Sequence, residues 1–235
     1  MREWLKADPT WGKSTRSLAV QIVKAALNHA VTEKRLAAHP LKAVKQGAFA
    51  HRERILTPQE RERIRARVTG TFKDFLFALE QTGARPSEIA GLEARMIDWE
   101  DCSVELVKRK NSKHGLKRII YFTPEMMELL RRLATKHPEG LLFRTRHGSK
   151  WDTNNAHRWT RVFARELGIK GVYPYVFRHT WICDAIERGV PLPIIAELVG
   201  NSVEVSRGRC RRYRSSPWGC GRALPSNGGG CGPSC

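Results

Sequence analysis

The chain has 235 residues, of which 41% are hydrophobic, so it is long enough to bury one core and too apolar to be disordered throughout. Its 42 Lys and Arg residues outnumber 23 Asp and Glu residues, and the formal net charge of +19 indicates a polyanionic partner such as nucleic acid. No stretch has the apolar length of a membrane span or the apolar core of a signal peptide, so we expect a cytoplasmic protein without a membrane partner.

The first predicted element is an amphipathic helix from Ser14 to Leu36, with Ser14 or Thr15 as its N-cap. His39-Pro40 ends this helix. A basic stretch of little apolar content follows from Lys42 to Arg54 and is typical of a linker. We therefore place a domain boundary in this stretch, after a small helical unit that buries little core of its own.

Three short helices are predicted after the linker. The segment Thr57-Pro58-Gln59-Glu60 is a capping box with proline at the first helical position, which predicts a helix from Pro58 toward Val68. A second helix is predicted from Phe72 to Gln81. After Thr82-Gly83 and Pro86, Ser87 is expected to cap a short third helix.

A β-hairpin and four more helices complete the main region. The strands are predicted at Val104 to Lys108 and Arg118 to Phe122, around a polar turn at Asn111 to Gly115. The later helices are predicted to start at Pro124 and to span 154–167, 178–188 and 191–199. The fold class is therefore α+β, predominantly α-helical, with one small β-hairpin.

The last stretch, Arg207 to Cys235, contains six arginines, no acidic residue and a triple glycine, and it predicts a disordered tail. Four of the six cysteines lie there. They lack a CxxC pair, so we expect flexible thiols rather than a zinc site. The predicted organisation is a partial helical unit, a basic linker, a main domain and an atypical tail, at 1–48, 49–56, 57–206 and 207–235.

Two arginines lie where helices are predicted to begin. Arg85 follows a tight turn, where a guanidinium can form two hydrogen bonds to one phosphate; pairing with Glu88 is an equally good interpretation. Arg178 lies in the segment Tyr175-Val176-Phe177-Arg178-His179-Thr180. Each residue taken alone favours the simpler interpretation, in which Arg178 is a surface cation and His179 a partly buried histidine.

Together these segments resemble the tyrosine recombinase family, also called the phage integrase family. The family's first box, Thr-Gly-x-Arg-x-x-Glu, is matched at Thr82, Gly83, Arg85 and Glu88. Its second box, His-x-x-Arg-His, is matched at Arg178 and His179. The boxes occur in the family's order, and the resemblance extends from about Ser14 to Val205.

The resemblance implies further site residues. The lysine of the family's hairpin aligns with Lys110, and Lys113 is the alternative. Two family histidines are replaced, one by Tyr175 and one by Asn201, and both substitutes can donate a hydrogen bond to a phosphate oxygen but cannot act as an imidazole base.

The nucleophile is the position that departs most from the family. The family tyrosine lies about nine residues beyond the second histidine, which here falls on Cys210. Tyr213 is the nearest tyrosine, and the arginines beside it make a phenolate chemically credible. A shift of reading frame after about Val205 is another explanation for this ending.

The resemblance implies a site-specific DNA recombinase that cleaves and rejoins strands through a 3′-phosphotyrosine, with Arg85, Lys110, Tyr175, Arg178, Asn201 and Tyr213 as catalytic residues. It implies duplex DNA as partner, a homotetramer on that DNA, action at the nucleoid, and no cofactor, metal or small-molecule substrate. The alternatives are an integrase remnant that binds DNA without cutting it and a helix-turn-helix regulator, which leaves the two arginine boxes unexplained.

Overall fold

The computed structural model describes residues 3–4, 9–45, 47, 54–106 and 118–203. The chain divides into two compact units, Met1–Arg52 and Glu53–Cys235. The predictions for Lys110, Lys113 and Tyr213, and for the tail at 207–235, lie outside the described residues.

The first unit contains one long helix, α1, from Lys13 to Thr32. Its N-cap is Gly12, so the predicted caps Ser14 and Thr15 are wrong, because both already lie inside the first turn. The helix also ends earlier than predicted, since Lys34 adopts left-handed backbone with φ of 56°.

The second unit begins with α2, Pro58–Arg67, and the predicted capping box is confirmed. The Thr57 hydroxyl accepts a hydrogen bond from the Glu60 backbone N–H at 3.2 Å, and the Glu60 carboxylate accepts one from the Thr57 N–H at 2.9 Å. Two backbone donors that lack a partner within the helix are satisfied in this way.

Helix α3, Gly70–Thr82, is followed by the short helix α4, Pro86–Ile89. Between them Gly83 has φ of 58° and ends α3. The N-cap of α4 is Arg85, so the prediction of Ser87 is wrong, because the proline takes the first helical position and places Ser87 inside the helix.

The two predicted hairpin strands are confirmed as β2, Ser103–Leu106, and β3, Arg118–Tyr121. They pair antiparallel with Val104 opposite Ile120, and both of these side chains are buried. A strand that was not predicted, β1 at Ile97–Asp98, pairs antiparallel with β2 and completes a sheet in the order β1-β2-β3.

Four helices follow the sheet, and they are α5, α6, α7 and α8, at Pro124–Lys136, Thr153–Glu166, Pro174–Glu187 and Leu192–Val199. Helix α7 begins one turn before the predicted start at Arg178, because Pro174 takes its first position. The mostly helical chain with one small antiparallel sheet confirms the predicted α+β class.

Helix α3 lies in the centre of the core and packs against α7. Its Phe72 and Phe75 rings lie 4.9 and 5.5 Å from the Trp151 ring, centroid to centroid. The C-terminal turn of α3 lies beside α7, where the Trp181 indole N–H donates to the Gln81 carbonyl at 3.1 Å. Among the described residues no helix combines the length and apolarity needed to cross a bilayer.

Candidate active site

Arg178 is buried, with 1% of its surface exposed, so its interpretation as a surface cation is wrong. One guanidinium nitrogen donates to the Gly83 carbonyl at 2.8 Å. The other donates to the Val199 carbonyl and to the Asn201 side-chain oxygen, the latter at 3.0 Å. Arg178 therefore joins the turn after α3 to the C-terminal end of α8.

Arg85 approaches the same place from α4 and is partly exposed, with 34% of its side chain accessible. Its Nη1 pairs with Glu88 at 2.8 Å, as one sequence interpretation predicted. Its Nη2 donates to the Gly200 carbonyl at 2.9 Å and reaches the Asn201 Oδ1 at 3.4 Å. The pairing with Glu88 thus holds the guanidinium at the end of α8.

The two arginines of the two sequence boxes converge on one atom, the Oδ1 of Asn201. The boxes are more than ninety residues apart in the chain, so only the tertiary fold brings them together. The amide nitrogen of Asn201 is buried and has no hydrogen-bond acceptor among the described residues. A third, enclosed donor thus lies beside the two guanidinium groups.

Arg118, the first residue of β3, is a site residue that sequence reasoning missed. It is 4% exposed, forms an ion pair with Glu88 and donates to the Leu198 carbonyl at 3.2 Å. A sequence signal existed, because Arg118 alternates with the buried Ile120 on β3 and so occupies an inward position of that strand.

Glu88 lies between Arg85 and Arg118 and accepts hydrogen bonds from both. Burial by itself would raise the pKa of this carboxyl, but the charge of Arg118 and hydrogen bonds from Arg118 and Arg85 outweigh it and hold the pKa below its ordinary value of 4.5. Arg85 and Arg118 thus share one carboxylate, and with Arg178 beside Arg85 at Asn201 the cluster keeps a net positive charge that attracts an anion.

Two glycines allow the backbone to approach the arginines. Gly200 has φ of 61°, and a Cβ there would lie 2.6 Å from the Cδ of Arg118. Gly83 has φ of 58°, and a Cβ there would lie 2.7 Å from the ring of Trp181. Glycine is therefore required at both turns for the conformation and for the space.

Tyr175 lies in the first turn of α7, three residues before Arg178, and is 36% exposed. In the described part of the chain, no hydrogen bond joins its hydroxyl to Arg85, Arg178 or Asn201. His179 is half-buried, and its ring lies edge-on to Tyr173 at 6.3 Å between centroids. The structure thus gathers three of the predicted site residues at one point and leaves Tyr175 at its edge.

No cluster of three or more metal-binding side chains occurs among residues 3–4, 9–45, 47, 54–106 and 118–203. The chemistry that the described site offers is hydrogen bonding and charge. Two guanidinium groups that meet at one place are suited to an oxygen that carries or develops negative charge, such as a phosphate oxygen.

Known proteins share both sequence and fold with this chain. The model of the Phage integrase family matches residues 53–205. A tyrosine recombinase XerA of Saccharolobus solfataricus is 30% identical over 124 residues, covering 52% of this chain and 39% of that protein. A tyrosine recombinase of Pseudothermotoga lettingae is 27% identical over 124 residues, covering 51% and 42%. The chain thus spans about two fifths of the length of these relatives.

Solved structures share the fold at lower identity. The Tn1549 transposon integrase, solved in complex with circular intermediate DNA, superposes with a TM-score of 0.71 at 17% identity, covering 89% of this chain and 79% of that one. A XerA recombinase crystal structure gives a TM-score of 0.58 at 20% identity, covering 89% and 76%. The described fold is therefore that of an integrase catalytic domain.

Proposed function

Because the chain belongs to the phage integrase family through residues 53–205, we propose that it is a site-specific recombinase that cleaves and rejoins duplex DNA. The observation that supports this most is the convergence of Arg85 and Arg178 on Asn201. The tyrosine recombinase names of its relatives point the same way.

In the proposed reaction a tyrosine phenolic oxygen attacks the phosphorus of one phosphodiester. The bond from phosphorus to the 5′ oxygen breaks, the 3′ phosphate stays on the tyrosine, and the phenolic proton passes to water. Lys110 gives a proton to the departing 5′ oxygen. A different 5′ hydroxyl then attacks the phosphotyrosine, so the bond energy is kept in the covalent intermediate and rejoining needs no other energy source.

Arg85 and Arg178 would neutralise the charge that builds on the non-bridging phosphate oxygens. They are already held in place by backbone carbonyls, so little reorganisation is needed when the charge appears. Asn201 would donate through its amide nitrogen, and Tyr175 through its hydroxyl, in place of the two family histidines.

We assign the nucleophile to Tyr213. We also propose that the protein forms a homotetramer on duplex DNA and acts at the nucleoid, in the cytoplasm. The chain offers few alternative nucleophiles of this type, because the sequence contains only four tyrosines, and the other three are Tyr121, Tyr173 and Tyr175. Each of the four can therefore be tested by a single substitution.

The test is a duplex with a nick next to the cut site, so that cleavage releases the short fragment that carries the new 5′ hydroxyl and traps the covalent intermediate. We expect a slow-migrating protein–DNA adduct on a denaturing gel, and its loss in Tyr213→Phe with DNA binding retained. Arg85→Ala should lower adduct formation by roughly a hundredfold or more. The exposed Arg132, which pairs with Asp74, provides the matched control R132A, which should form the adduct normally.

DNA binding without any adduct would contradict the recombinase and favour a remnant that binds DNA without cutting it. An adduct that persists in Tyr213→Phe and disappears in Tyr121→Phe or Tyr175→Phe would keep the recombinase and move the nucleophile.

A further inference from the structure

Arg118 lies at the arginine site but faces the protein rather than solvent. It is the first residue of β3, and 4% of its surface is exposed. Its guanidinium group forms an ion pair with the Glu88 carboxylate, and its Nε and Nη2 donate to the Leu198 carbonyl at 3.3 and 3.2 Å. Arg118 therefore contacts two elements of the site, α4 and α8, and has almost no surface with which to touch a DNA phosphate.

The contact with Glu88 leads to Arg85. One carboxylate oxygen of Glu88, Oε1, faces both arginines and lies 2.8 Å from the Nη1 of Arg85. The other oxygen accepts a hydrogen bond from the Arg85 backbone N–H at 2.7 Å. A partly exposed arginine side chain has many rotamers, so a carboxylate that Arg118 holds from behind restricts Arg85 to few of them.

The contact with Leu198 leads to Asn201, which follows the end of α8. The Gly200 and Asn201 backbone N–H groups turn back and donate to the carbonyls of Glu197 and Ala196, both at 2.9 Å. This hydrogen-bonding pattern ends the helix. Arg118 donates to the next carbonyl, that of Leu198, and so fixes the turn from which the Asn201 side chain extends.

Three consecutive carbonyl groups at this end of α8 each accept a hydrogen bond from a different arginine. The pairs are Leu198 with Arg118, Val199 with Arg178, and Gly200 with Arg85. Cations are favoured at the C-terminal end of a helix, because its carbonyl groups carry partial negative charge. Arg85 and Arg178 have a phosphate as their proposed partner, whereas both contacts of Arg118 are with the groups that hold the site together.

We propose that Arg118 is a positioning residue for strand cleavage, which orients Arg85 through Glu88 and Asn201 through the Leu198 carbonyl without touching DNA. The inference rests on the proposed function, because the oriented groups act on a phosphate only in that reaction. A guanidinium group is required, since its fork reaches a carboxylate and a carbonyl at once, whereas a lysine ammonium is a single centre. Positive charge alone is therefore not sufficient at position 118.

The test measures the rate of adduct formation on the nicked duplex at saturating protein, together with the dissociation constant for the same DNA. We expect R118K and R118M each to lower the rate roughly tenfold or more, because a small displacement of a phosphate-binding group is enough to slow the reaction by that much. The dissociation constant should not change, because Arg118 does not contact DNA.

The control is R61M, which also removes a largely enclosed arginine from an ion pair. The Arg61 side chain is 20% exposed, and it pairs with Asp184 at 2.6 Å rather than with Glu88. R61M should form the adduct at the parent rate. Urea unfolding of every variant checks that it is folded in the assay, and R118K, which keeps the charge and most of the side chain, serves if R118M does not fold.

A comparison in a second background separates positioning from a general loss of stability. If Arg118 acts through Arg85, part of its effect disappears once Arg85 is alanine. R118K should therefore slow R85A by a factor several times smaller than the factor by which it slows the parent chain. A merely structural role would slow both proteins by the same factor.

Rates for R118K and R118M equal to that of R61M, or an equal slowing of R85A and the parent chain, would overturn the positioning role and leave the recombinase proposal intact. A parent chain that forms no adduct would overturn both, and the parent's own adduct yield distinguishes that case.

Discussion

The residue on which the site depends most is Glu88, whose carboxylate lies between Arg85 and Arg118. Glu88 holds Arg85 at 2.8 Å and also pairs with Arg118, which is almost fully buried. Removing one member of such a cluster leaves a buried charge without compensation, which typically costs roughly 3–5 kcal/mol. Glu88 therefore stabilises the unit and also holds Arg85 at the end of α8.

The lowered pKa of Glu88 predicts a specific pH dependence of stability. Its folded pKa lies below the ordinary value of 4.5, so the folded state binds fewer protons near that pH than the unfolded state does. The stabilisation is complete above about pH 5 and is lost as the pH falls through the folded pKa. Urea unfolding from pH 3.5 to 7 should show the difference between the parent chain and E88Q shrinking at acid pH.

The comparison with E88Q is needed because the pKa of Glu60 is also lowered, by hydrogen bonds from Thr57 and Arg54, and this contribution is common to both proteins. Free energies of unfolding that differ by a constant amount at every pH would show that Glu88 contributes nothing through its charge.

At the residue scale the sequence predicted Arg85, Arg178 and Asn201, because each lies in a motif with a recognisable neighbour. It missed Arg118, which follows Lys117 in a basic segment, because only its alternation with Ile120, and not the local composition, distinguishes an inward arginine from a solvated one. The burial of Arg178 was also missed, because a guanidinium is buried only where carbonyl groups from distant segments meet it.

At the scale of elements, the site is built from the ends of helices. The turn after α3 and the end of α8 each present a carbonyl group to a guanidinium, and both turns contain a glycine with positive φ. Capping boxes and proline starts predicted several helix boundaries. The short strand β1 was not predicted, because two residues carry no periodicity.

Gly189 and Gly200 both have a positive φ, but only Gly200 lies against Arg118. Comparing their alanine variants therefore separates backbone strain from the contact with Arg118 at the end of α8. Gly189 has φ of 80°, and a Cβ there would meet no atom within 4 Å, so Gly189→Ala should cost only the backbone strain, roughly 1–2 kcal/mol. Gly200→Ala should cost roughly 1–3 kcal/mol more, because its Cβ meets Arg118. Urea unfolding measures both. Equal losses would show that Arg118 moves aside freely and does not fix the end of α8.

At the scale of the whole molecule, the charge surplus is distributed along the chain. The six arginines after position 206 account for less than a third of the net charge of +19, so most of the surplus lies before the tail. A surplus distributed along the chain is suited to following a phosphate backbone. The sequence predicted this partner class well, whereas the convergence of Arg85 and Arg178 depends on tertiary packing.

This distribution predicts a steep dependence of DNA binding on salt. Each phosphate contact releases counterions, so the logarithm of the association constant should fall linearly with the logarithm of salt concentration, by about 0.9 per contact. Contacts at the cut site and elsewhere on the basic surface should give a slope of at least about 4 in magnitude. The measurement is the fluorescence anisotropy of a labelled duplex at NaCl concentrations from about 50 to about 300 mM, a range wide enough to resolve such a slope.

A duplex with a neutral methylphosphonate backbone is the control and should bind weakly with almost no salt dependence. A slope below about 2 with natural DNA would mean that few phosphates are contacted. Most of the positive charge would then lie away from the bound duplex and would contribute little to its binding.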